Sequence, residues 1–401
     1  MFGHVRQILR ITIGATLVLA ATAAAADWPC WRGPNHDGLS PEKGFEPKWD
    51  AAPPKVWEAD IGSAFSGLTV VAGKVYTCGT QNKQQTLFCL AADTGKIIWQ
   101  TPIEEEYPER QGGDGTRGTP AFNDGRVYIQ GALGRVLCCD AETGKEIWSR
   151  QYEAKPQWGY AASVLIDGDL ALVTAGGKDG ALVALDKQTG KVVWQCGRDP
   201  VGYATPYPFT FENQRYIVGF MGKEVIIADA KTGQQVWSMP WQTDWDVNAS
   251  TPIYHDGHLF LSSGYDHGSI LLKLARDGEQ LKTETVWQNK SIRAKFQSPV
   301  LYDGHLYASD EVGLSCVAFA TGETKWNQRG VTNGTLLIAD GHVLLLTEKG
   351  ELQIAPASPR AFEPRTTVPL LKGRCWTVPT LWNGHFYARN FKQVACYKLT
   401  K

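Results

Sequence analysis

Beyond residue 26 the apolar positions come in short runs separated by polar, glycine-bearing turns, with no sustained helical spacing. One pattern recurs as a Ser/Thr-Pro or similar pair, a short run, Asp-Gly or Asn-Gly, then an apolar stretch. It reads TPAFNDGRVYI from Thr119, TPIYHDGHLFL from Thr251, SPVLYDGHLYA from Ser298 and VPTLWNGHFYA from Val378. Asp-Gly and Asn-Gly suit a tight hairpin because both residues tolerate positive φ, so each copy predicts two strands around a turn.

A second element follows each copy: Thr-Gly or a variant, then Trp after three residues. It ends at Trp99, Trp148, Trp194 and Trp237, with a looser copy at Trp287 and another at Trp326. Successive tryptophans lie 49, 46, 43, 50 and 39 residues apart, the length of a four-stranded propeller blade. Eight units begin near Leu68, Thr119, Ser163, Thr205, Thr251, Ser298, Thr335 and Val378. The last runs out after its third strand, whereas Pro54-Lys55-Val56-Trp57-Glu58 matches the Trp-bearing strand of the others. The expectation is an all-β, eight-bladed β-propeller over residues 53–401, its last blade closed by the N-terminal strand around Trp57.

The Ala/Asp-x-x-Thr-Gly-Lys-x-x-Trp repeat resembles the tryptophan-docking motif of the pyrroloquinoline-quinone (PQQ)-like propellers and covers nearly all of the chain after residue 26. The start WPCWRGPNHDG from Trp28 resembles short exported bacterial propellers of that type. The resemblance implies structural roles for Trp57, Trp99, Trp148, Trp194, Trp237, Trp287 and Trp326. It leaves function open, because such repeats occur both in quinoprotein dehydrogenases and in BamB-type propellers of outer-membrane barrel assembly.

Residues 1–26 read as a signal peptide: Arg6 and Arg10, the apolar Ile11–Ala21, then Ala24-Ala25-Ala26. Residues 27–52 form an N-terminal extension. The arginines are not adjacent and no lipobox surrounds Cys30, so the expected place is the periplasm or the medium, without a lipid anchor. The chain carries 40 Lys+Arg against 41 Asp+Glu, which gives nucleic acid no basic surface. No transmembrane segment is expected in the mature chain, and a monomer is. Of nine cysteines, Cys89, Cys138, Cys139 and Cys316 fall in apolar repeats as buried thiols, and Cys78 and Cys89 flank one hairpin where they could pair. Cys138 and Cys139 are neighbours in a strand and point to opposite faces, which argues against the vicinal disulfide that resemblance to a quinoprotein alcohol dehydrogenase would suggest.

In a propeller the loops leading into the inner strands form the mouth of the channel. The equivalent positions are Phe65, Arg117, Ala161, Tyr203, Ala249, Phe296, Asn333 and Trp376, with Trp158, Tyr160 and Asn248 beside them. Aromatic faces and a guanidinium suit a flat anionic ligand, although the same rings would also serve to plug the channel. The basic run Lys290, Arg293, Lys295 and the acidic run Glu104–Glu109 read as surface. No haem or zinc spacing is present. Asp246 and Asn248 are too few oxygen ligands for calcium, and His255, His258, His305, His342 and His385 sit in or beside the repeated turns.

The favoured function is a non-catalytic binding or scaffold protein with a protein or glycan partner in the cell envelope and no cofactor. One alternative is a dehydrogenase using PQQ with calcium, which the short blades leave little chain to cover. The other is carbohydrate binding through Trp158, Trp241, Trp245 and Trp376.

Overall fold

Eight sheets, each with four antiparallel strands and one with an added fifth, are arrayed around one axis in the computed structural model, which describes residues 27–401. The signal peptide expected over residues 1–26 lies outside the described residues. Blade 1 runs outward from Thr69–Val71 through Lys74–Gln81 and Gln84–Ala91 to Ile97–Glu105, and blades 2 to 7 repeat this plan along the chain. Blade 8 takes Thr380–Trp382, His385–Arg389 and Gln393–Lys398 from the C-terminal end. Its outer strand is Lys55–Asp60, paired antiparallel to Gln393–Lys398 with Trp57 opposite Cys396. The fold is an eight-bladed β-propeller closed by its N-terminal strand.

Burial within a blade explains the sequence pattern. Middle strands are covered on both faces by neighbouring blades, so Leu182–Asp186 is an unbroken apolar run up to its last residue. Outer strands face solvent, and in Glu146–Gln151 only Trp148 is buried. The core is divided among eight apolar clusters, one at each junction between blades.

The Thr-Gly turns and the tryptophans make one joint. Asp186 Oδ1 accepts hydrogen bonds from the amides of Gln188 and Thr189 and from the Thr189 hydroxyl, which fixes the turn. Gly190 then sits at φ +70°, and Trp148 of the preceding blade lies over it, its Nε1 donating to the Lys187 carbonyl at 3.0 Å. Trp57, Trp99, Trp194, Trp287 and Trp326 donate to the next blade in the same way. Trp237 does not. Blade 5 replaces the Thr-Gly turn with a long hairpin, Gly268–Asp277 with Gln280–Asn289, and Trp237 packs in the cluster shared with Leu274 and Leu281.

The Ser/Thr residues before the inner strands form a second joint nearer the axis. The Gly67 amide donates to Thr119 Oγ1, that of Thr119 to Ser163 Oγ, that of Ser163 to Thr205 Oγ1 and that of Thr251 to Ser298 Oγ.

The nine cysteines are free thiols. Cys78 lies opposite Leu87 and Cys89 opposite Tyr76, so these two, which could have faced each other across the hairpin, are out of register. Burial pushes both thiols up to about 12. Cys138 packs towards blade 3 and Cys139 towards blade 1, on opposite faces of their strand. No helix among the described residues is long and apolar enough to cross a membrane.

Candidate functional site

The N-terminal extension contacts the inner strands of several blades. Its backbone pairs with blade 1 at Trp28–Val70, and the Pro29 carbonyl accepts from Phe122 of blade 2. Trp31 Nε1 donates to Thr251 Oγ1 at 2.9 Å in blade 5. Arg32 is buried, and its guanidinium donates to the carbonyls of Ser298, Pro299, His36 and Asp37. Leu39–Ser40 adds a parallel strand to the inner edge of blade 7 at Thr335–Ala339. This strap runs along the ends of the inner strands that carry the Asp-Gly turns, and the leading loops form a cup at the opposite end.

That cup is a cavity of about 390 Å³ with Trp31 lining it, within the ~300–1,000 Å³ span of small-molecule sites. The eight equivalent loop positions converge on it: Phe65, Arg117, Ala161 and Tyr203, then Ala249, Phe296, Asn333 and Trp376. Trp158 joins them. Tyr160 and Asn248 do not. Tyr160 is fully buried between blades 2 and 3, and its hydroxyl donates to the Ala175 carbonyl. Asn248 is also fully buried, and its Nδ2 donates to the carbonyls of Met221, Gly222 and Trp241. Both point away from the axis because they adjoin lining residues along the chain and so face the other way. Trp241, one of the candidate carbohydrate-binding rings, is buried with its Nε1 donating to Ser263 Oγ.

Two aromatic groups face each other across the cup. On one wall Trp376 stacks with Phe65 at 5.5 Å and meets Phe296 at 4.8 Å, and the Arg374 guanidinium lies over its ring at 4.4 Å. On the other, Tyr203 meets Trp158 edge-on at 6.0 Å, and Trp158 meets Trp245 at 6.4 Å. Burial raises the Tyr203 phenol to about 12, so it stays protonated as a neutral donor.

The charged groups in the lining are two cations, and each is already engaged. Arg117 donates to the carbonyls of Gly113 and Gly115 and lies over the Tyr107 ring at 4.7 Å. Lys295 Nζ is 3.2 Å from Glu311 and 4.7 Å from the Tyr265 ring. Sequence reasoning missed Trp31, Gln111, Tyr265 and the inward role of Lys295. Tyr265 stands on the loop between the second and third strands of blade 5, and such loops face the same mouth as the leading loops. Lys295 could have been found, since it immediately precedes Phe296.

A family model described as outer membrane protein assembly factor BamB matches residues 49–195 and 83–328. The quinohemoprotein alcohol dehydrogenase ADH IIB of Pseudomonas putida is 36% identical over 143 residues, 31% of this chain and 20% of that enzyme. The matched segments span only 20–33% of the first quinoprotein dehydrogenases found. Among solved structures, BamB from Moraxella catarrhalis aligns at TM-score 0.62 and 17% identity, covering 87% of this chain and 98% of that one. Quinohemoprotein alcohol dehydrogenase from Comamonas testosteroni aligns at 0.68 and 13%, covering 94% and 81%.

Proposed function

Because this chain belongs to the PQQ-repeat family described as outer membrane protein assembly factor BamB, we propose that it is a non-catalytic binding propeller of the bacterial envelope. In this reading it is exported to the periplasm or beyond, and it engages its ligand or partner through the aromatic cup.

The observation that carries this reading is the absence of any Asp or Glu from the residues lining the cup. Alcohol or sugar oxidation with PQQ and calcium calls for hard oxygen ligands on the ion and a carboxylate to take the substrate proton. Glu348 is the carboxylate behind Trp376, but its oxygens accept from Trp376 Nε1 at 2.9 Å and Asn333 Nδ2 at 3.2 Å. Glu311 likewise accepts from the Tyr265 amide and pairs with Lys295. No group of three or more His, Cys, Asp or Glu fit to hold a metal occurs among the described residues. These side chains do not fit a calcium ion and a catalytic base at the cup.

Calorimetric titration of the mature protein with PQQ and calcium, followed by a dye-linked oxidation screen of alcohols and sugars, tests the reading. No oxidation is expected. Saturable calcium-dependent quinone binding with turnover would overturn it.

A further inference from the structure

The cup continues outwards along a line of rings that the lining alone does not explain. Tyr203 leads to Trp158 and Trp158 to Trp245, at 6.0 and 6.4 Å. Trp245 is 64% exposed and sits at φ 67°, ψ 13°, a region that bulky side chains rarely adopt. Its loop is built to hold it there. Thr243 Oγ1 donates to the Val247 carbonyl at 2.9 Å, the Asp246 amide donates to the Thr243 carbonyl at 3.2 Å, and Gln242 Nε2 donates to Asp246 Oδ1 at 3.1 Å. A large apolar ring kept exposed in a strained conformation beside a cavity marks a contact surface.

Inside the cup the chemistry is mainly that of rings, hydroxyls and amides. Lys295 is paired with Glu311, and Arg117 is held against the wall by two carbonyls and the Tyr107 ring. Ser163 Oγ and Thr205 Oγ1 accept backbone amides, which leaves their own protons free to donate into the cavity they line. Gln111 and Asn333 add amide groups. A ligand that suits this lining has flat C–H faces to set against the negative faces of aromatic rings, hydroxyls around its edge, and no net charge.

We propose that the cup holds the terminal ring of a neutral oligosaccharide, whose following rings run out over Trp158 and Trp245. This rests on the non-catalytic binding reading and names the ligand of the same site.

The test is titration of the mature protein, by calorimetry and tryptophan fluorescence, with maltotriose, cellotriose, xylotriose and chitotriose, with trigalacturonate as the charged comparison. At least one neutral trisaccharide binds saturably and at least tenfold more tightly than trigalacturonate. Trp158→Ala weakens it about tenfold. Trp245→Ala weakens the trisaccharide to a similar degree yet leaves the matching monosaccharide unchanged, because Trp245 lies outside the cup. Both variants keep the wild-type melting temperature within a few degrees, since neither ring belongs to an interblade cluster. Absence of binding by every neutral trisaccharide, tighter binding of trigalacturonate, or binding untouched by both substitutions overturns the assignment. Peptide-array binding lost in the same variants would overturn the glycan and leave the binding reading standing, whereas quinone-dependent turnover would remove that reading itself.

Discussion

Trp148 and Gly190, in neighbouring blades, are packed so closely that a Cβ on the glycine would lie 2.6 Å from the indole. Gly190 also has φ +70°, so it meets two demands at once. Gly177, at φ +62°, has nothing within 4 Å of the same position. Gly190→Ala therefore adds overpacking of about 1–3 kcal/mol to the left-handed cost of about 1–2 kcal/mol, whereas Gly177→Ala carries the backbone cost alone. Denaturant unfolding of the two variants should show Gly190→Ala to be the more damaging by at least about 1 kcal/mol. Equal effects would mean that the indole does not rest on the turn.

The tryptophans should divide by whether they reach the next blade. Trp194→Phe removes a donor and leaves the buried Ala230 carbonyl without it, a loss of about 1–3 kcal/mol. Trp237 makes no such bond, and the Trp237→Phe variant should lose less than Trp194→Phe by about that amount. Chemical denaturation with a shared m-value distinguishes them. A larger loss at Trp237 would show that the long hairpin of blade 5 offers it a partner as strong as the standard joint.

Stability should fall as the pH drops through the titration of His36. Burial, opposed by its backbone partner and by Asp167 and helped by Arg215 and Arg32, lowers this imidazole from 6.5 to about 4. Its ring nitrogen lies 3.5 Å from Cys30 Sγ. The unfolded chain then takes up a proton that the folded strap refuses. The contribution is whole above pH 6.5, shrinks as the pH falls towards about 4, and is constant below that. The full span is at most about 3 kcal/mol, reduced because the ring keeps an edge near the surface. Melting temperatures of wild type and His36→Gln measured from pH 7 to 4 should converge towards the acid end. Parallel curves would place the acid sensitivity elsewhere.

The repeat made most of this legible, because a motif that recurs at blade spacing places equivalent residues at equivalent points around an axis. That is why Phe65 and Trp376, 311 residues apart in the chain, could be assigned to one mouth and are found stacked there. Direction within a loop was not legible. Tyr160 and Asn248 each adjoin a lining alanine, Ala161 and Ala249, and a one-residue step turns the side chain into the wall. Trp31 was out of reach for another reason. It belongs to no repeat, and its place is set by contacts such as that with Thr251, 220 residues away.

Ring closure gives the last prediction. Lys55–Asp60 supplies the outer strand of blade 8, and Trp57 joins Phe88, Leu90 and Tyr387 in the cluster between blades 8 and 1. Trp57 Nε1 also donates to the Ala92 carbonyl at 2.8 Å. Deleting residues 53–60 removes the indole from that cluster, worth about 3–5 kcal/mol by itself, and bares the edge of Gln393–Lys398. Exposed strand edges recruit other chains, so the deletion should lower the melting temperature and yield oligomers by light scattering. The Trp57→Ala variant, which keeps the strand, should lose stability and keep the wild-type oligomeric state. A deletion that melts with the wild type would show that the first blade and the last are joined without this strand.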